Sequence, residues 1–297
     1  MDQIKLLIDA KNQLGECVLW CDRTHRVFWT DILLARLHAY EPASGASKTW
    51  DMPERLSNFA LTEDDNRLLL GLASRMAFFD LDSGEITPIC TVEADLPTTR
   101  VNDGRCDRQG RFVFGTMNEA KGKPAIGGFY RLNKDLSLQR LPLPAVSIAN
   151  SICFSPDGNS MYFCDSMKGI IYRWDGYGSG HTDAGLLHAI VDLSESSGAP
   201  DGSVIDAEGF LWNAQWGGER VVRYTSDGRE DRVLPVPTSQ PSCVCLGGPQ
   251  FDELFVTTAR DWLSEEKLAA QPQAGGLFHT QLQHIRGLPE SRFAGSA

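Results

Sequence analysis

Short apolar runs alternate with turn clusters along the whole chain, and the alternation repeats. Runs beginning at Val27, Leu68, Phe112, Met161, Phe210 and Leu254 each follow a turn that carries an aspartate. Those aspartates are Asp22, Asp65, Asp107, Asp157, Asp206 and Asp252, spaced 42 to 50 residues apart. Each unit continues into a second alternating strand, such as 36–40, 76–81 or 221–224. Tight turns rich in Asp, Ser and Gly close these strands, the pattern of strands joined by hairpins. Repeats of about 40–50 residues built from short strands predict a propeller with four strands per blade. Six landmarks predict six blades. The expected fold is therefore all-β, a six-bladed β-propeller with four-stranded blades, filling residues 1–297 as a single domain. One segment, 261–272, reads as helix instead. Ser264 is its expected N-cap, Glu265 and Glu266 lie in its first turn, and Pro272 stops it. It is an insertion in the last blade that could cap the site or decorate the rim, and decoration is the expectation.

The repeat brings certain polar residues into register. Glu16, Asn102, Asn150 and Asp201 each lie five to seven residues before a landmark aspartate. In a propeller the first strand of each blade lines the central channel, so equivalent positions face one axis. Hard oxygen donors converging there predict a central metal site of the calcium or magnesium kind. The matching places in the remaining units fall near Asn58 and Ser242. Arg100 stands two residues before Asn102, so both face the channel. Asp103 points the other way and is expected to be structural. Glu119 ends a strand within reach of a polyol.

Composition narrows the function. Net charge is -11, and no cluster of five or more Lys/Arg occurs, so a nucleic-acid partner is not expected. No apolar run approaches about 18 residues, so no membrane span is expected. The N-terminus lacks the basic and apolar regions of a signal peptide, which predicts a cytoplasmic protein with its eight cysteines reduced. No nucleophile elbow, zincin helix or P-loop is present. None of the six histidines (25, 38, 181, 188, 279 and 284) falls at a channel position. A monomer is the default.

Several longer motifs resemble one family. They are Leu14-Gly15-Glu16, the run from Arg100 to Met117, the run from Asn150 to Gly158, the run from Pro200 to Trp212, and the run from Phe255 to Arg260. Together these resemble the regucalcin/gluconolactonase family, also called senescence-marker-protein/gluconolactonase/luciferin-regenerating, over nearly the whole chain. The resemblance implies a six-bladed propeller with one divalent metal at its axis. Calcium is the first expectation; zinc, manganese or iron(II) also suit the ligands. It implies Glu16, Asn150 and Asp201 as metal ligands and Arg100, Asn102 and Glu119 as substrate-binding residues. Asp201 also matches the catalytic general base. The implied activity is a carboxylic ester hydrolase, a metal-dependent sugar lactonase. Its substrate would be an aldonolactone such as L-arabinono-, D-galactono-, D-xylono- or D-glucono-lactone. Two alternatives stay open: a paraoxonase-like esterase or phosphotriesterase, and a non-catalytic calcium-binding regulator.

Overall fold

A computed structural model describes residues 3–179 and 186–295. Its strands form six antiparallel four-stranded sheets. Blades one to five are continuous in sequence, at 15–51, 56–91, 99–140, 149–192 and 199–235. Blade six combines three strands from 241–281 with Lys5–Ile8, which pairs with Leu277–Gln281 at the outer edge. The N-terminal strand and the strands of 241–281 thus close the ring within one sheet. All six landmark aspartates sit in the turn between the first and second strands of a blade.

The innermost strands are Gly15–Cys21, Leu56–Leu61, Thr99–Cys106, Ala149–Phe154, Ala199–Ile205 and Pro241–Gly247. Each packs beside the next, and the last beside the first. Strand residues alternate between two faces, and in a propeller each face meets a neighbouring blade. The apolar core accordingly divides into six clusters, each between two adjacent blades. Phe28 meets Phe59 between blades one and two, and Phe129 meets Phe163 between blades three and four. Trp20 stacks on Phe255 to join blade one to blade six. Each such side chain contributes about 1.5–3 kcal/mol on burial. With apolar packing confined between blades, the axis is left to polar side chains.

The helix is present as expected, at Glu265–Ala270, with Ser264 accepting a hydrogen bond from the Lys267 N–H. It buries no side chain and lies on the rim. Beyond the last blade, the chain crosses the face opposite the pocket described below. There Phe293 is fully buried and its N–H donates to the Leu61 carbonyl. No described helix is long and apolar enough to cross a membrane.

Candidate active site

A pocket of about 520 Å³ opens over the axis. Glu16, Arg100, Asn102, Glu119, Asn150 and Asp201 all line it. They arrive from different blades: Glu16 from blade one, Arg100 and Asn102 from three, Asn150 from four, Asp201 from five. Glu119 follows directly on Phe112–Asn118, the second strand of blade three. Asn58 and Ser242, the matching positions in blades two and six, are not among the lining residues. Asn58 is buried and donates to the Asn102 carbonyl, and Ser242 donates to the Gly15 carbonyl.

A local device aims these side chains. In all six innermost strands the pairing register slips at the same place, for example between Glu16 and Leu19 and between Asn150 and Cys153. A bulge bends the strand and redirects the side chain at its root. Cys17 and Ser151, directly after Glu16 and Asn150, take left-handed backbone conformations with φ of 47° and 60°. Ser151 Oγ donates to the Asp201 carbonyl at 2.6 Å, so the bulge of blade four holds the bulge of blade five. Gly202 follows Asp201 because a Cβ there would stand 2.8 Å from Cys243 Cα.

Two carboxylates dominate the floor. Burial, and then the nearby Asp103 carboxylate, push Glu16 up to about 8; the Cys17 N–H and Arg100 offset only part of this. Burial, then Glu16 and Asp103, hold Asp201 well above the ordinary carboxylate range. Asp201 Oδ1 is buried and has no hydrogen-bond partner among the described residues. Asp103 itself is raised to about 6, chiefly by burial. It accepts the Ile152 N–H at 2.7 Å, which is the structural role expected of it.

The wall beside the floor is a hydrogen-bonded network. Arg100 Nη1 donates to Asn102 Oδ1 at 2.7 Å, and Arg100 Nε to Glu119 at 3.2 Å. Arg55 grips both Glu119 oxygens, at 2.6 and 2.8 Å, the fork geometry that fixes a carboxylate. Burial raises the Glu119 carboxyl, but Arg55 and Arg100 outweigh it and hold it below its usual value.

The expectation of a central metal site as part of the fold is corrected here. Among the described residues, no group of three or more His, Cys, Asp or Glu side chains is placed to hold a metal ion. The donor set explains this. Only Glu16 and Asp201 among the aligned residues are carboxylates, and the other aligned oxygen donors are the amides of Asn102 and Asn150. Asn102 Nδ2 donates to Asn150 Oδ1 at 3.1 Å, and Asn150 Nδ2 donates to Ser166 Oγ at 2.9 Å.

Sequence reasoning missed several pocket residues: Lys123, Ser166, Trp216, Asp261 and Trp262 line it too. Arg55, which fixes Glu119, was missed as well. The one available signal was the lead-in to the rim helix, where Asp261 and Trp262 stand. The rim helix is decoration, as expected, but its lead-in is part of the pocket wall. No described histidine lines the pocket, and His181 lies outside the described residues. All eight cysteines are unpaired.

Residues 14–260 match the family described as the SMP-30/Gluconolactonase/LRE-like region. The chain belongs to that family. This SMP-30/gluconolactonase family member is 51% identical to L-arabinolactonase of Azospirillum brasilense, over 99% of this chain and 96% of that one. It is 32% identical to 6-deoxy-6-sulfogluconolactonase of Pseudomonas putida, over 99% of both chains. Among solved structures it resembles the calcium-binding protein regucalcin of Agrobacterium tumefaciens. That likeness has a TM-score of 0.91 and 32% identity, and covers 97% of this chain and 96% of the other. The family member is a hydrolase of the lactonase type, acting on an aldonolactone.

Proposed function

We propose that the protein hydrolyses L-arabinono-lactone to the aldonic acid, with the help of a divalent cation. The buried, unpartnered Oδ1 of Asp201 beside Glu16 carries this reading. Two carboxylates sharing one buried floor raise each other's proton affinity unless a positive charge joins them. Such an oxygen fits a hard cation, and Asn150 Oδ1 keeps a second lone pair free of its bond from Asn102. Glu16, Asn150 and Asp201 would hold the cation, calcium first, as the calcium-binding relative suggests. When bound, it supplies Lewis-acid polarisation of the lactone carbonyl.

The chain's own residues do the rest. Asp201 takes a proton from water as the water oxygen bonds to the carbonyl carbon. The ring C–O bond then breaks, and the proton passes to the ring oxygen, which leaves as a hydroxyl. Arg100 and Asn102 orient the substrate's hydroxyl oxygens, and Glu119 accepts from a hydroxyl. Because Arg55 and Arg100 already fix Glu119, little ordering is left to occur on binding. The choice of L-arabinono-lactone is supported by the relative named for that substrate, 51% identical over nearly the whole chain. Eight unpaired cysteines suit a reducing cytoplasm. We take the enzyme to act as a monomeric single domain.

The test is initial rates in a pH-indicator assay on L-arabinono-, D-xylono-, D-galactono- and D-glucono-lactone. The highest kcat/KM is expected on L-arabinono-lactone. A clear preference for a six-carbon lactone would reject this substrate and keep the lactonase chemistry.

A further inference from the structure

The pocket has a polar floor and an aromatic mouth. Trp262 leads into the rim insertion of blade six and is 75% exposed. Its backbone is left-handed, with φ of 61°, where a bulky side chain is a true outlier. Its neighbours are clamped all the same. The Arg260 and Asp261 N–H groups both donate to the Gln13 carbonyl, at 3.1 and 2.9 Å. Gln240 Nε2 donates to the Asp261 carbonyl at 2.8 Å, and the Leu263 N–H to the Arg260 carbonyl at 3.1 Å. The indole is therefore held out over the pocket by rigid backbone.

Two other blades complete the corner. Trp216 ends the second strand of blade five and meets Trp262 edge to face, with centroids 6.5 Å apart at 77°. Lys123, in a loop of blade three, brings its ammonium to 5.9 Å from the Trp262 ring. In a ring of six, blades three and six are opposite, so this contact spans the mouth. Lys123 is also on left-handed backbone, with φ of 43°. All three side chains open on the pocket that holds Asp201 and Glu16.

An exposed indole on strained, clamped backbone beside a second indole marks a binding surface rather than a packed core. The chemistry fits one ligand class. An aldonolactone presents hydroxyls at its edge and polarised C–H bonds on its faces. The negative face of an indole attracts those C–H bonds, and an ammonium donates to the hydroxyl oxygens. We propose that Trp262 and Trp216, with Lys123, form an outer subsite that stacks on the C–H face of the lactone and sets KM. This rests on the lactonase reading above. The subsite holds the part of the substrate away from the ester, so it binds ground state and transition state alike. Its loss raises KM and leaves kcat in place.

The experiment is steady-state kinetics on L-arabinono-lactone and D-glucono-lactone for the wild type, Trp262→Ala, Trp262→Phe and Trp216→Ala. Trp262 is exposed, so its replacement does not disturb the core. Both alanine variants are expected to raise KM about three- to ten-fold, the range of one aromatic contact, with kcat within about two-fold. Trp262→Phe is expected to stay close to wild type. Unchanged KM in Trp262→Ala, or an effect confined to kcat as for a gate over product release, would overturn the subsite while the lactonase reading stands. A wild type silent on both lactones would overturn both.

Discussion

At the residue scale, the site is a balance of buried charges. Glu16 and Asp201 are raised by burial first and by neighbouring carboxylates second. Glu119 is the opposite case. Burial raises it, but Arg55 and Arg100 more than compensate and bring it below its ordinary value. For a group depressed in the folded state, its stabilisation is present above the unfolded value of about 4.5 and is lost as pH falls through the folded value. Stability of the wild type should therefore fall more steeply than that of Glu119→Gln as pH drops below about 4.5. Denaturation midpoints across pH 3–7 check this; parallel curves would show that the Arg55–Glu119–Arg100 arrangement is not maintained in solution. Glu16, Asn102, Asn150 and Asp201 were legible as pocket-lining residues because the repeat itself aligned them. Arg55 was not, because its pairing with Glu119 joins positions 64 residues apart that only the packing of blade two beside blade three brings together.

At the element scale, the bulge at the root of each innermost strand turns a repeated strand into a repeated aim. Ser151 shows what this costs locally. It is fully buried at φ of 60° and donates to the Asp201 carbonyl. Ser151→Val would lose that bond and place a β-branched side chain in the left-handed region. A destabilisation of about 2–4 kcal/mol is expected, with turnover reduced because Asp201 loses its anchor. Urea unfolding and a lactone assay check both; a variant as stable as wild type would mean that the bulge is not held by this contact. Strand positions were legible from the turn aspartates and apolar runs, and the rim helix from its cap. The bulges were not, since Cys17 and Ser151 are not residues whose type announces positive φ. The strand Lys5–Ile8 was also invisible as part of blade six, because its partner lies at the other end of the chain. The Trp216–Trp262 corner was hidden for a similar reason, being made by two blades.

At the scale of the whole molecule, the ring is closed twice. Lys5–Ile8 completes blade six, and the C-terminal segment crosses the far face. Arg292 pairs with Asp22 and Asp65, from the turns of blades one and two. Glu290 pairs with the buried Arg105 through two bonds of 2.8 and 2.9 Å, and Arg105 also donates to the Ser203 carbonyl. Removing one partner of a buried ion pair leaves the other charge uncompensated. Glu290→Ala should lose about 3–5 kcal/mol of stability by chemical denaturation, yet keep its KM, since the pocket lies at the other end of the axis. A change in KM without a change in stability would contradict that division of labour between the two faces.

In the proposed reaction the carboxylate floor under the pocket hydrolyses an aldonolactone with the help of a divalent cation. The most direct measurement is turnover of L-arabinono-lactone by protein stripped with a chelator and reloaded with calcium, zinc, manganese or iron(II), beside Asp201→Asn treated identically. Stripping is expected to abolish turnover, and one of these ions to restore it. Asp201→Asn, still folded, is expected to lose roughly 10²–10⁴-fold in kcat under every ion. Full turnover in the stripped protein would overturn the role of the cation, and full turnover in Asp201→Asn would overturn that of Asp201.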